Sequence, residues 1–118
     1  MSKDYCDIYE HLCALMTKLG GEAGPVMAGF TSLHDASVSE GALSAKVKEL
    51  IALAIGITVR CDGCIAYHVH DALAAGATRE ELIETIGVAV MMGGGPSVVY
   101  GCEALEAVDQ LRGVAAAG

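Results

Sequence analysis

The sequence predicts an all-α, single-domain helical bundle, and three observations support this fold class. Apolar residues recur at three- and four-residue spacing along most of the chain, and the period-two alternation that indicates strands is absent. Aromatic residues make up only 4% of a chain that is 53% apolar, so Ala, Val, Leu, Ile and Met dominate, as is typical of closely packed helices. The length of 118 residues fits one domain, residues 1–118.

The first two helices are predicted from apolar spacing and one proline. Residues 4–19 carry apolar side chains at helical spacing, and Gly20-Gly21 is expected to end this helix. The pattern over residues 22–41 is weaker. Pro25 is expected near the start of a short second helix, because proline is tolerated in a first turn.

The central pair of helices is predicted from a serine cap and a closing glycine. Ser44 is expected to cap a helix that reaches about Thr58. After a break at residues 59–60, a second helix over about 61–75 is closed by Gly76, because glycine readily adopts the left-handed conformation just past a helix end.

The last two helices are predicted on either side of the sequence GGGP. Thr78 caps a helix that reaches about Met92, and Glu81 completes a T-x-x-E capping box. Pro96 suits the first turn of a final helix over about 96–112. The glycines before it are expected to allow close helix approach near the thiols.

Charge and hydropathy narrow the classes of partner. The net charge is −8, with seven Lys and Arg against fifteen Asp and Glu, which disfavours nucleic acid. No apolar run is long and unbroken enough to span a membrane, and the N-terminal MSKDYCDIYEHLC lacks the apolar core of a signal peptide. We therefore expect a cytoplasmic protein without a membrane partner. So much apolar material in a small domain favours a homo-oligomer.

The stretch RCDGCIAYHVH, residues 60–70, carries the reactive groups. If Cys61 begins a helix, Cys64 and His68 lie on the same face of that helix as Cys61. Thiols at this spacing could form a disulfide, and a helix N-terminus favours the thiolate. His68, one turn past Cys64, could exchange its proton. His70 points roughly 200° away from His68 and is expected to face solvent or a neighbouring subunit.

Glu49 joins these residues only if the two central helices form an antiparallel hairpin. A turn near residue 59 would place Glu49 opposite His68 to His70, where its carboxylate could orient the imidazole or relay a proton. Along one straight helix, Glu49 would instead lie about 18 Å from Cys61.

Several interpretations of the cysteine pair compete. Haem attachment is excluded because isoleucine, not histidine, follows the second cysteine. A thioredoxin-like motif is disfavoured because the preceding segment has a helical pattern, and two cysteines that merely pack remain an alternative. A zinc site needs four ligands. The candidate ligands are Cys61, Cys64 and His68, with Cys102 or Glu49 as the fourth.

The other sulfur and imidazole groups are assigned to packing or to the surface. Cys102 is expected to pack in the core or at an interface, as are Cys6 and Cys13 of the first helix. His11 and His34 are expected at the surface or in capping roles. Tyr67 could line a pocket or pack between subunits.

The order of the reactive residues resembles the signature of the alkylhydroperoxidase D-like branch of the carboxymuconolactone decarboxylase superfamily. That order, E-x11-C-x2-C-x3-H, is formed by Glu49, Cys61, Cys64 and His68. The sequence of residues 48–97 resembles this family too, and residues 44–112 carry its core motif, whereas residues 1–40 match weakly. The resemblance implies an all-α fold that assembles as a homo-hexamer or homo-trimer.

The resemblance also implies a thiol-dependent peroxidase without a cofactor or a resident metal. By position, Cys64 would attack a hydroperoxide and become a sulfenic acid, and Cys61 would condense with it into a redox disulfide. His68 and Glu49 would form the proton relay. A dithiol would reduce the disulfide, and in the best-known member this donor is a lipoylated protein.

The sequence departs from that family pattern at the cysteine pair. Asp62-Gly63 stands between the cysteines, where the best-characterised member has a histidine, and Asp62 is expected to raise the pKa of the thiols. The chain holds one copy of the helical motif, whereas that member holds two. The true decarboxylases lack the cysteine pair, so decarboxylase activity is disfavoured. A metal-binding or non-catalytic redox-sensing helical protein is the alternative.

Overall fold

Six α-helices form the part of the chain that a computed structural model describes, residues 2–117, with side chains described through residue 113. Met1 and Gly118, the limits of the predicted domain, lie outside the described residues. The all-α prediction is confirmed. The helices are α1 (Tyr5–Glu22), α2 (Gly24–Val38), α3 (Ala45–Thr58), α4 (Asp62–Ala74), α5 (Arg79–Gly93) and α6 (Gly95–Ala117).

The predicted end of the first helix at Gly20-Gly21 is wrong, because α1 runs to Glu22. Both glycines take the helical conformation, and the chain breaks instead at Ala23, which has φ −127° and ψ 53°. Two residues later comes Pro25, which has no N–H for the helical hydrogen bond and whose ring would clash with the carbonyl four residues earlier. The helix therefore restarts, with Pro25 in the first turn of α2.

The predicted caps of the other helices are confirmed. The side chain of Ser44 accepts a hydrogen bond at the start of α3, and Thr78 and Glu81 form a reciprocal capping box at the start of α5. Gly76 follows α4 with φ 93°. These local signals set the helix boundaries because each satisfies backbone groups that a helix end leaves unpaired.

A glycine turn joins α5 to α6. Gly94 has φ 71° and ψ −151°, a region of backbone conformation open almost only to glycine. Its carbonyl accepts a hydrogen bond from the N–H of Ser97, and Pro96 lies in the first turn of α6 as predicted. The helix continues to Ala117, beyond the predicted end near 112.

The link between α3 and α4 holds Arg60 in the left-handed conformation, with φ 59°. The N–H of Arg60 donates to the carbonyl of Ile57, and the N–H of Cys61 donates to that of Gly56. These are the hydrogen bonds of a Schellman motif. Gly76 occupies the equivalent position after α4, so the chain makes the same turn once with glycine and once with arginine.

Replacing Arg60 with Gly is expected to raise the free energy of unfolding by about 0.5–1 kcal/mol. A side chain in the left-handed conformation costs about 1–2 kcal/mol, and the greater flexibility of glycine in the unfolded chain cancels about 0.5–1 kcal/mol of the gain. Urea denaturation measures the difference. The matched control Gly76→Ala should lower the midpoint, and a midpoint for R60G at or below that of the wild type would contradict the account.

Two helical hairpins form the core, and the other two helices pack around them. The α3–α4 pair forms the predicted antiparallel hairpin, and α5 packs against both α3 and α6. Helix α1 lies against α4 and α6, whereas none of the fifteen described residues of α2 is buried. The largest apolar side chains of the core are Tyr5, Leu53, Ile57, Ile65, Leu82, Val69 and Val108.

Many large apolar side chains lie on the surface of the single chain. Val26 and Leu33 of α2 are 72% and 63% exposed, and Met92 of α5 is 73% exposed. The apolar excess of the composition is therefore not absorbed by the core of one copy. Among the described helices, none combines the length and the apolar character needed to span a bilayer.

Candidate active site

The cysteine pair lies at the N-terminus of α4. Cys61 is the capping residue, and its Sγ accepts a hydrogen bond from the N–H of Cys64 at 3.2 Å. The two sulfurs are joined in a disulfide whose Cα atoms are 5.2 Å apart, an ordinary separation. When the pair is reduced, the free N–H groups and the dipole of the helix end favour a thiolate here.

Gly56 allows α3 to approach the disulfide closely. An added Cβ at Gly56 would lie only 3.1 Å from Cβ of Cys64, so a larger residue would push the two helices apart. The expectation for the GGG segment is confirmed in part, because Gly93 allows a close helix approach, but to Ser97 of α6 and Thr58 of α3 and not to the cysteines. Sequence reasoning missed Gly56, although a glycine inside the strongly helical AIGIT was a usable signal.

His68 and Glu49 form a hydrogen-bonded pair across the α3–α4 hairpin. Nδ1 of His68 lies 2.8 Å from Oε1 of Glu49, and Glu49 is only 5% exposed. A carboxylate on this side favours the imidazole with its hydrogen on Nδ1, which leaves Nε2 able to exchange a proton. The predicted proximity of the two residues is therefore confirmed by the geometry of the hairpin.

A cavity of about 310 Å³ opens beside the disulfide. Its walls come from α1, α2 and the start of α4, and they are mostly apolar apart from the sulfurs, the imidazoles, the hydroxyl of Thr31 and the carboxylate of Asp35. A small, partly apolar molecule could therefore reach the sulfurs and His68 together. The lining residues are Leu12, Met16, Phe30, Thr31, His34, Asp35, Cys61, Gly63, Cys64, Tyr67 and His68.

The other two histidines near the cysteine pair, His34 and His70, both have contacts that the sequence did not predict. His34 belongs to the cavity wall and not to the open surface or to a helix cap, and its Nδ1 lies 3.1 Å from Oδ1 of Asp35. The ring of His70 stacks on that of Tyr9 at a centroid distance of 4.0 Å. The His70 side chain is nevertheless 41% exposed, so the expectation that it faces solvent is confirmed in part, and α1 covers the remainder of the ring.

Tyr67 and Cys102 differ in their position relative to the cavity. Tyr67 lines the cavity, the first of the two positions considered for it. Cys102 is exposed in the single chain, so it does not pack in the core, and its packing at an interface stays a prediction. It is not among the described cavity-lining residues, and both sulfurs of the predicted zinc ligands Cys61 and Cys64 are taken up by the disulfide.

Lys3 pairs with the acidic residue that separates the cysteines. Its Nζ lies 2.8 Å from Oδ2 of Asp62 and also contacts Glu103. The hydrogen bond to Asp62, and after it that to Glu103, raises the pKa of Lys3 above its ordinary value. The ammonium group therefore offsets part of the negative charge that Asp62 places beside the thiols.

Replacing Lys3 with Met is expected to slow alkylation of the reduced cysteine pair at neutral pH by about two- to fivefold, the range of a partly exposed ion pair. Asp62 would then act unopposed and disfavour the thiolate. Mass spectrometry of the peptide containing Cys61 and Cys64, sampled during reaction with iodoacetamide, gives the rate. Added salt should shrink the effect. Lys18→Met, at an exposed position of α1, is the control, and equal rates for K3M and wild type would count against the role of Lys3.

Fold and site together define an all-α protein with a dithiol-disulfide pair at a helix N-terminus. The model of the carboxymuconolactone decarboxylase family matches residues 24–107, most of the chain. The chain belongs to the carboxymuconolactone decarboxylase family.

Similar proteins extend over most of the chain. An uncharacterised protein of Cupriavidus necator is 41% identical over 93 residues, which make up 78% of this chain and 82% of that protein. The apo crystal structure of a carboxymuconolactone decarboxylase family protein from Legionella pneumophila has a TM-score of 0.89 at 44% identity, over 93% of this chain and 98% of that one. A family member from Thermotoga maritima, described as a candidate for involvement in an antioxidative response, has a TM-score of 0.72 at 32% identity, over 77% of this chain and 94% of that one.

Proposed function

We propose that this protein is a thiol-dependent peroxidase of the alkylhydroperoxidase D-like type, which reduces alkyl hydroperoxides through Cys61 and Cys64. The observation that carries the proposal is the disulfide at the start of α4, which opens on a cavity beside an imidazole oriented by a buried carboxylate. Membership of the family and the description of the Thermotoga maritima relative support an antioxidative role.

The first step of the proposed cycle oxidises Cys64. His68 takes the proton of the Cys64 thiol, and the thiolate attacks the terminal oxygen of the hydroperoxide. The O–O bond breaks, the sulfur becomes a sulfenic acid and an alkoxide leaves. The imidazolium of His68 returns the proton to the alkoxide, and Glu49 stabilises the positive charge while it lasts.

The second step forms the disulfide, and the third removes it. The thiol of Cys61 condenses with the sulfenic acid of Cys64, an S–S bond forms, and the hydroxyl leaves with the thiol hydrogen as water. An external dithiol then attacks the disulfide, passes through a mixed disulfide and departs oxidised, which restores both thiols. We propose a lipoylated protein as this donor. The cycle needs the reducing conditions of the cytoplasm, where we place the protein.

The proposed assembly is a homo-hexamer or a homo-trimer. The exposed apolar side chains of α2 and α5 support it, because such surfaces are usually covered by a partner. Further copies of the chain could also complete the cavity, one wall of which is the weakly packed α2.

A coupled assay tests the proposed function. Purified protein is mixed with an alkyl hydroperoxide and dihydrolipoamide, and both peroxide loss and lipoamide formation are followed. We expect many turnovers per protein chain, with one lipoamide formed for each hydroperoxide consumed, and a rate that saturates with each substrate. The control Cys102→Ser should give the same rate. Absence of turnover with every dithiol tried would contradict the proposal, and disulfide formation without dithiol reduction would indicate a redox sensor instead.

A further inference from the structure

We propose that His34, Glu49 and Asp71 form a binding site for a divalent transition-metal cation of the zinc class, distinct from the cysteine pair. One donor atom from each side chain lies within 4.8 Å of the other two. The three residues come from α2, α3 and α4, so only the folded chain brings them together. Neither cysteine is a ligand, and the site does not depend on peroxidase turnover.

His34 presents an unused nitrogen at this site. Its Nδ1 is engaged by Asp35 at 3.1 Å, whereas its Nε2 is buried and has no hydrogen-bond partner among the residues that the structure describes. Leaving a buried polar atom unpaired is unfavourable. A cation on Nε2 would satisfy it, and the carboxylate on Nδ1 would orient the ring in the way common for metal-bound histidines.

The two carboxylates are also held from outside the site. Oε1 of Glu49 pairs with His68, and Oδ1 of Asp71 lies 2.9 Å from Nδ1 of His70. Each bond engages one carboxylate oxygen and leaves the other for a ligand. All three proposed ligands therefore have an outer partner that fixes their orientation, which is characteristic of protein metal sites.

The charge around the site favours a cation. His34 is close to the donor atoms of Glu49 and Asp71 and is hydrogen-bonded to Asp35, and none of the described residues that line the cavity beside it is Lys or Arg. The pKa of Tyr67 is raised, mainly by burial, and the charges of Asp71, Cys13, Glu49 and Asp35 add to this rise. The carboxylates of Asp35, Glu49 and Asp71 are therefore all close enough to Tyr67 to act on it together.

The donor set selects the class of metal. One imidazole and two carboxylates suit zinc, manganese or ferrous iron, whereas calcium needs more oxygen ligands. Ligand atoms around a tetrahedral zinc ion are roughly 3.4 Å apart, because the bonds are about 2.1 Å long. The donor atoms would need to approach one another by little more than about 1 Å, which side-chain rotation supplies, and water would complete the coordination.

Binding of Co²⁺ to the full-length protein tests the site. The protein is freed of metal with a chelator, dialysed, kept in the disulfide form and titrated with Co²⁺ as a spectroscopic substitute for Zn²⁺. We expect one ion per chain, with ligand-field absorption and no sulfur-to-cobalt charge-transfer band. His34→Gln and Asp71→Asn should each weaken binding by at least about 100-fold, since even outer partners contribute 10- to 100-fold. His11→Gln, at an exposed position of α1, should bind like the wild type.

Hydrogen exchange gives a second readout that does not rely on affinity. Because His34 is the ligand from α2, Zn²⁺ should slow amide exchange over residues 24–38 in the wild type but not in Asp71→Asn, a conservative change that keeps the side-chain shape. Failure of the wild type to bind, variants that bind equally well, or a charge-transfer band that disappears in C61S/C64S would overturn the proposal. Peroxidase activity plays no part in these outcomes, so they are separate from the test of the proposed function.

Discussion

Replacing Cys64 with Ser is expected to abolish peroxide consumption, with a loss of kcat/KM on the order of 1,000-fold or more. A serine hydroxyl at this position is not ionised near neutral pH and cannot form a sulfenic acid, so the first step of the proposed cycle has no nucleophile. Peroxide consumption at several protein concentrations, with dihydrolipoamide as donor, measures the loss.

The companion variant Cys61→Ser separates the two sulfur roles. Cys64 should still react once and give a sulfenic acid that a dimedone label traps, but no disulfide should form and turnover should stop. Cys102→Ser, which changes an exposed cysteine outside the cavity, is the matched control and should turn over normally. Undiminished turnover in C64S would contradict the assignment of Cys64 as the nucleophile. A sulfenic acid that is trapped in C64S but not in C61S would show that the two cysteines have exchanged roles.

Replacing Glu49 with Gln is expected to lower kcat/KM by about 100- to 10,000-fold while the fold is retained. Gln keeps the shape of Glu49 and can still accept a hydrogen bond from His68, but it cannot stabilise the imidazolium or fix the tautomer as a carboxylate does. The pH dependence of kcat/KM should change in shape as well, which a purely structural defect would not produce.

The control for this variant is Glu84→Gln, on the exposed face of α5. It removes the same charge at a distance from the site and should leave the rate unchanged. A rate for E49Q within twofold of the wild type would show that the relay is not used. Running both variants with a chelator present separates this effect from that of the proposed metal site, since Glu49 serves both.

The parts of the fold that the sequence predicted correctly depend on local chemistry. Ser44, Thr78, Gly76 and Pro96 satisfy or terminate the backbone of their own helices, so neighbouring residues suffice to predict what they do. The failure at Gly20-Gly21 has a local reason too. Glycine only weakens a helix by about 1 kcal/mol, whereas proline removes a hydrogen bond and clashes, so Pro25 decides where the chain breaks.

The candidate site was predictable only where a short turn connects its parts. Glu49 meets His68 because the turn after Thr58 folds α4 back on α3, and that turn could be inferred from the chain itself. His34 and Lys3 reach the site through packing between distant segments, and a single sequence carries no direct signal for such contacts. The pairing of Lys3 with Asp62 spans 59 residues, and it alters the electrostatic effect expected of Asp62 alone.

Mass spectrometry of the peptide that contains Cys61 and Cys64 tests the central claim most directly. The peptide is analysed from fully reduced protein, after one equivalent of alkyl hydroperoxide, and again after dihydrolipoamide. The account predicts loss of two hydrogens as the disulfide forms, and their return when the dithiol is added. A pair that stays reduced while peroxide persists, or that passes to sulfinic acid without a disulfide, would contradict it.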